Sequence, residues 1–255
     1  MNVDFENIKA NLQELGIVSG DRVLVHSSCK SIGPIEGGAN TFIEALKEVV
    51  GKEGTLLFPT FTYDYVNKNN PVFDVNNTVS HCGIITEIFR KMTDVKRSVH
   101  PTHSVAVWGK DRDWFVADHY YDNVCVGKNS PIFKLREKKG KILFLGCTLR
   151  PNTSIHGMEI LFGTPYSFRV DYSDPRYYRK YTCIDEDDKI YRQEFYHMFM
   201  EEWGYEQAYD KLEGLMEIQK GKVLKADSYL LDAELLWSTV LSKMKEDPYY
   251  FVRKG

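Results

Sequence analysis

An α/β fold, with a sheet packed between helical layers, is predicted by three observations. Short apolar runs ending at Gly or Pro alternate with segments of helical period. Long loops rich in small and polar residues follow several of those runs, where α/β enzymes place their binding groups. Residues 203–249 then carry apolar and charged residues at helical spacing and predict a helical C-terminal portion. The 255 residues suffice for a substantial core. With no Pro- or Ser-rich linker and no repeat, one domain over 1–255 is the simplest organisation.

Phe5, Ile8, Leu12 and Leu15 lie at helical spacing, and Gly16 supplies the stop. After Gly20, the run Asp21–His26 reads as a buried strand. Ser27 to Asn40 is a Gly-, Ser- and Pro-containing loop, and Phe42, Ala45, Leu46 and Val49 then share a helical face closed by Gly51 and Gly54. Thr55–Phe58 is a second buried strand ending at Pro59, and Ile84–Met92 is helical by period. Ser104–Trp108 and Lys141–Leu145 are further strands, the latter closed by Gly146, and Thr153–Phe162 is helical. A polar stretch, Asp185–Lys189, precedes the C-terminal segment.

A net charge of −3 lacks the basic excess of a nucleic-acid binder. No apolar run approaches the ~18 residues of a membrane span, and Met1-Asn2-Val3-Asp4 begins no signal peptide. The five cysteines, 29, 82, 125, 147 and 183, show no CxxC spacing. They fit a reducing cytoplasm better than disulfides or a zinc cage.

Three of the seven histidines sit among hydroxyls, in Arg97-Ser-Val-His-Pro-Thr-His-Ser104 and Thr153-Ser-Ile-His-Gly-Met-Glu159. Histidine is the side chain best suited to moving protons near neutral pH, so this grouping points to an enzyme. Pro101 keeps His100 and His103 off a common helical face, and HExxH is absent, so a metal site has little support. His156 follows the Lys141–Leu145 strand, where α/β enzymes expose active groups. Glu159, on the same helical face, reads either as a plain carboxylate or as a group in direct contact with substrate. Ser27-Ser28-Cys29-Lys30-Ser31 with Gly37-Gly38 forms a strand–loop–helix passage. Its glycines serve turn geometry alone or, with Lys30, an anion cradle. Cys29 beside it reads as a small buried residue. Asp64, Tyr65, Asp74, Glu87, Glu194 and 171–178 offer carboxylates and rings to a sugar or amine.

With these segments placed, the chain resembles the aminoglycoside 3-N-acetyltransferase family. The resemblance runs in order from His26-Ser27-Ser28, Gly33 and Gly37-Gly38 through Gly54–Thr60, Phe73-Asp74, Gly83-Ile84, Glu87 and Phe89-Arg90. It continues through Arg97-Ser98, His100-Pro101, His103-Ser104, Gly109, Gly127, Ser130-Pro131 and Gly146 to Thr153, His156 and Glu159. It fades beyond residue 170. It implies a three-layer α/β/α sandwich with a central mixed sheet and transfer of acetyl from acetyl-CoA to an amine, without a metal. His156 would be the catalytic base and Glu194 the carboxylate that orients it. Ser27, Ser28, Lys30, Ser31, Gly37 and Gly38 would hold CoA, with Ser98, His103 and Ser104 near the pantetheine or thioester. Asp64, Tyr65, Glu159 and Arg169 would meet the small-molecule acceptor, and a homo-oligomer is left open.

The mild acidity and the basic residues Arg169, Arg176, Arg179 and Lys180 favour a nucleotide-linked amino sugar, of surface polysaccharide synthesis, as the acceptor. The alternative acceptor is an aminoglycoside, as in antibiotic resistance. Two readings from other classes are a metal-dependent hydrolase using His81, His100, His103 and His119, and a silent sugar-binding module.

Overall fold

The structure, a computed structural model, describes residues 2–167, 177–198 and 204–255. Helix α1 (Val3–Glu14) is capped by Asn2, whose side chain accepts from the Phe5 N–H at 3.1 Å. Strand β1 (Arg22–Ser27), the short α2 (Cys29–Ile32), α3 (Gly38–Val50) and β2 (Thr55–Pro59) follow. Next come β3 (Val72–Asp74), α4 (Ile84–Phe89), β4 (Lys96–Arg97), β5 (Val105–Gly109), α5 (Arg112–Val116) and α6 (Pro131–Lys134). The chain continues through β6 (Lys141–Leu145), α7 (Ser154–Phe162), β7 (Tyr178–Ile184), β8 (Ile190–Tyr196) and β9 (Tyr205–Gln207). It ends with β10 (Gln219–Val223), β11 (Ala226–Asp232), α8 (Ala233–Glu246) and β12 (Val252–Lys254).

Seven of these strands form one mixed sheet in the order β10-β11-β6-β1-β2-β5-β4. Its centre, β6-β1-β2, is parallel, while β11 and β5 flank it antiparallel. The period-two alternation of a strand divides the central residues between two cores. Val23, Val25, Leu56, Phe58, Leu143 and Leu145 pack with α1, α3 and α4. Leu24, Leu57, Ile142 and Phe144 face the opposite way, toward Phe115, Ile155, Met158, Trp237 and Val240 of α5, α7 and α8. The sheet is therefore sandwiched between helical layers. Both faces are covered, which is why its central strands read as continuous apolar runs.

The C-terminal segment corrects the expectation for residues 203–249. Only α8 is helical for more than two turns; it follows two hydrogen-bonded strands, β10 and β11. In β11 burial alternates from Ala226 to Leu230, the period of a strand. Val223 pairs with Ala226, closing a two-residue turn in which Leu224 adopts φ 51°. β11 covers the edge that β6 would otherwise expose, and lysines 220 and 222 on β10 keep the new edge solvated. The acidic stretch 185–189 lies at the β7–β8 turn, and β3 pairs with that hairpin in a second, three-stranded sheet. Among the described residues no helix is long and apolar enough to cross a membrane.

Candidate active site

The three parallel strands deliver their carboxyl ends to one place, the usual location of ligands in α/β sheets. A cavity of about 480 Å³ opens there. Val25, His26 and Ser27 end β1 on its wall, Pro59 ends β2 with Phe61 and Tyr63 beyond it, and Cys147 and Arg150–Thr153 follow β6. His81, Cys82, Thr86, His103, His156 and Gln207 complete the lining. After β6 the chain turns at Gly146 with φ 67°, where a Cβ would come within 2.5 Å of Ser31 Cβ. The short loop beyond it returns the chain as α7, which presents its first turn to the cavity.

On α7 the i,i+3 spacing brings His156 and Glu159 together. His156 Nδ1 lies 2.9 Å from Glu159 Oε2. The carboxylate is fully buried and also accepts from the Tyr166 hydroxyl at 3.2 Å and the Tyr209 hydroxyl at 3.4 Å. Tyr209 is in addition 3.3 Å from His156 Nδ1. A buried carboxylate needs such a set of donors. Facing the carboxylate, Nδ1 carries the ring proton, so Nε2 keeps its lone pair and can accept a proton from a ligand. Glu159 then stabilises the imidazolium that forms.

Two histidines and two thiols of the cavity are held uncharged at neutral pH. Burial pushes the His26 imidazole down to about 4, and its ring stacks on Phe144 with centroids 4.9 Å apart. Burial also holds His103 well below the ordinary histidine value, with nearby histidines adding to the effect. Its ring packs against Phe61, and that of His81 lies edge-on to Tyr63. The Cys82 and Cys147 thiols are pushed up to about 11 by burial, so neither supplies a thiolate at neutral pH. An acyl-cysteine route through them has no activated nucleophile.

Several expected site residues lie elsewhere. Glu194 is on β8, 57% exposed and 3.6 Å from Lys180; the carboxylate on His156 is that of Glu159. The two acidic residues differ because i,i+3 proximity on a helix is local, whereas Glu194 points outward from a hairpin. Ser98 and Ser104 are buried and engaged. Ser98 Oγ accepts from the Val105 N–H and lies 2.8 Å from His119 Nδ1, and Ser104 Oγ donates to the Thr60 carbonyl. They hold the loop that carries His103 rather than facing the cavity. Gly37 and Gly38 take positive φ before α3 and border neither cavity of the carboxyl edge; a Cβ on Gly37 would meet Thr41 Oγ1. Ser27, Ser28 and Lys30 do line a second cavity of about 490 Å³, which shares Ser27, His81 and Cys82 with the first. Ser31 donates to Ser28 from behind it. Asp64 is exposed with its carboxylate 3.6 Å from His81 Nδ1, and Tyr65 is exposed nearby. Arg169 lies outside the described residues.

The hydrolase alternative loses its ligands. His100 Nε2 donates to the Val124 carbonyl while its Nδ1 accepts from the His103 N–H, and His119 is buried against Ser98. Among the described residues no three His, Cys, Asp or Glu side chains converge as a metal site requires. The structure also brings in residues that sequence reading missed. Tyr209 lay in the segment read as helix, and Asn152 carries no spacing signal that marks a role.

A carboxylate-bonded imidazole at the mouth of parallel strands, in a cavity whose thiols stay protonated, has the geometry of a proton-accepting site in an α/β fold. Residues 24–245 match the family described as Aminoglycoside 3-N-acetyltransferase, and the chain belongs to that family. It is an acyl-CoA-dependent N-acetyltransferase. It is 30% identical to aminoglycoside N(3)-acetyltransferase VII of Streptomyces paromomycinus, over 70% of this chain and 69% of that protein. It is 29% identical to the SPbeta prophage-derived aminoglycoside N(3')-acetyltransferase-like protein YokD of Bacillus subtilis (strain 168), over 74% of this chain and 78% of that protein. Its fold is similar to that of aminoglycoside acetyltransferase AAC(3)-IVa in complex with a gentamicin. The TM-score is 0.77 at 26% identity, covering 96% of this chain and 90% of that one.

These findings overturn the expected nucleotide-linked amino-sugar acceptor and its polysaccharide pathway, because the matching family and relatives are named for aminoglycosides. Of the four basic residues that suggested a diphosphate, Lys180 is an exposed partner of Glu194 on the β7–β8 hairpin, Arg179 lies on the same hairpin, and Arg169 and Arg176 lie outside the described residues.

Proposed function

We propose that the protein transfers the acetyl group of acetyl-CoA to the 3-amino group of an aminoglycoside. The observation that carries this reading is the His156–Glu159 pair set into the cavity at the parallel strand ends. Acetyl-CoA is the cosubstrate. Its arm would reach the pair from the second cavity, where Lys30 meets phosphate and Ser28 a polar group of the chain. The acceptor would enter over Phe61 and Tyr63, with Asp64 at the rim facing one of its remaining ammonium groups. Glu159 serves the base here rather than the substrate.

An ammonium group cannot attack a thioester; the amine must be neutral or lose its proton as it attacks. His156 Nε2 takes that proton while the amine nitrogen bonds to the carbonyl carbon. As the carbon–sulfur bond breaks, the sulfur leaves with its electron pair, and the proton on His156 passes to it, releasing CoA and the amide. The reading places the reaction in the cytoplasm, where a reducing environment keeps all five cysteines free.

The test is thiol release from acetyl-CoA with a panel of aminoglycosides, followed by NMR location of the acetyl group. Turnover with a product acetylated at the 3-amine is expected. Saturable acetyl-CoA binding without turnover of any aminoglycoside would overturn the acceptor assignment.

A further inference from the structure

The acetyl-transfer chemistry needs a donor for the thioester oxygen, and the Asn152 side chain in the cavity wall has its donors unspent. Asn152 lines the cavity wall, is fully buried, and neither its amide nitrogen nor its amide oxygen has a hydrogen-bond partner. Buried amides are nearly always satisfied, because leaving one bare costs desolvation with no return. Its backbone, by contrast, is pinned on both sides: its N–H donates to the Leu149 carbonyl at 3.2 Å and its carbonyl accepts from the Ile155 N–H at 3.1 Å. The residue is thus held by its backbone immediately ahead of the helix that carries His156, with its side-chain donors free.

We propose that the Asn152 amide donates to the carbonyl oxygen of the bound thioester and stabilises the oxyanion formed when the amine attacks. Several other polar groups of the wall are less suited. The Thr153 hydroxyl donates to the Pro151 carbonyl. Cys82 and Cys147 are weak donors, and Arg150 is exposed to solvent, where its charge is screened. His26 Nε2 is the rival, since it too is buried and unpartnered, but it lies on the β1 wall, in a ring fixed by stacking on Phe144. Geometry favours Asn152: the nitrogen that gives its proton to His156 must bond the carbonyl carbon, so the oxygen lies close to His156, and Asn152 is one helical turn from it in sequence.

The inference rests on the acetyl-transfer reading, so the test includes a readout independent of the acceptor. Asn152→Asp keeps size and replaces the N–H donors by acceptors, Asn152→Ser is the smaller control for folding, and His26→Gln tests the rival. With an acceptor that the wild type turns over, kcat for Asn152→Asp should fall ~10²–10³-fold, the scale of losing one oxyanion donor. KM for acetyl-CoA should change little, and the melting temperature of Asn152→Ser, which places no carboxylate in the buried site, should stay near wild type. Separately, S-acetonyl-CoA, an unreactive ketone analogue, should bind the wild type with its carbonyl stretch shifted to lower frequency. That shift should vanish in Asn152→Asp and survive in His26→Gln. A wild-type kcat in Asn152→Asp, or loss of the shift in His26→Gln alone, would overturn the proposal. A carbonyl shift in a wild type that acetylates no aminoglycoside would keep the donor site and remove only the acceptor.

Discussion

At the scale of single residues, His156 and Glu159 form one hydrogen-bonded pair. Replacing His156 by Asn keeps polarity but removes the proton acceptor, and general-base catalysis is worth ~10²–10⁴-fold, so kcat should fall within that range. Acetyl-CoA affinity measured by calorimetry should be nearly unchanged, because the base handles the acceptor's proton. Glu159→Gln retains the hydrogen-bonding shape but not the charge that steadies the imidazolium. Its kcat should fall by a factor on the order of 10² or more, as expected when the carboxylate behind a catalytic histidine is neutralised. Glu194→Gln should leave kcat near wild type, since Glu194 sits exposed beside Lys180. A large loss in Glu194→Gln with none in Glu159→Gln would reverse the assignment. Asp64→Asn should raise KM for a polycationic acceptor roughly two- to five-fold, the scale of an exposed charge contact, and the effect should shrink in high salt.

At the scale of elements, α7 depends on a glycine for its seat. A Cβ on Gly157 would lie 2.7 Å from Val126 Cγ1 and 3.0 Å from Trp237 Cη2, so the helix packs flush against α8 and the loop before α6. Alanine would gain up to ~1 kcal/mol of helix propensity, but crowding a packed core costs ~1–3 kcal/mol, and crowding wins where neither neighbour can retreat. Gly157→Ala should therefore melt several degrees below wild type in a thermal scan. It should also lower kcat, because the displaced turn carries His156. The β10–β11 hairpin shows where local pattern was insufficient: its lysines and apolar residues also fit a helical period, and the decision came from the open edge of β6, which only antiparallel pairing could satisfy.

The whole molecule carries an acid sensitivity in its buried histidines. His26 is lowered to about 4 and His197 to about 3, mainly by burial, and His100, His103 and His119 lie well below the ordinary value. These folded-state values lie below the unfolded value near 6.5. Between the two, the unfolded chain binds more protons. Stability is thus complete above about pH 6.5 and is lost as pH falls toward about 4, by up to ~1.4 kcal/mol per pH unit for each histidine. Glu87, lowered to about 2 against Arg90 and Lys91, adds its own loss only below about pH 4.5. Melting temperature should accordingly begin to fall below about pH 6.5, before carboxylates titrate. A flat profile from about pH 6.5 to about pH 5 would show that these histidines charge freely in the folded state.

The amino-acid sequence by itself determined the layered α/β class, because burial on both faces of the central strands writes continuous apolar runs at β1, β2 and β6. It also singled out His156 as a candidate, because a histidine on the helix after a strong strand is a local signal, and the ordered run of motifs from residue 26 to 159 marked the family. Glu159 was visible as a neighbour on the same helical face, but its function was open. Only the tertiary structure decided that it orients His156, because that role depends on burial and on Tyr209, fifty residues away in sequence. The same holds for Ser98 and Ser104, whose hydroxyls look catalytic in a His-rich loop and are instead used up by backbone partners across the sheet. Helical and strand periods are properties of neighbouring residues and can be read along the chain. Which polar atoms remain unsatisfied at a cavity depends on contacts between distant segments, and no local pattern encodes it.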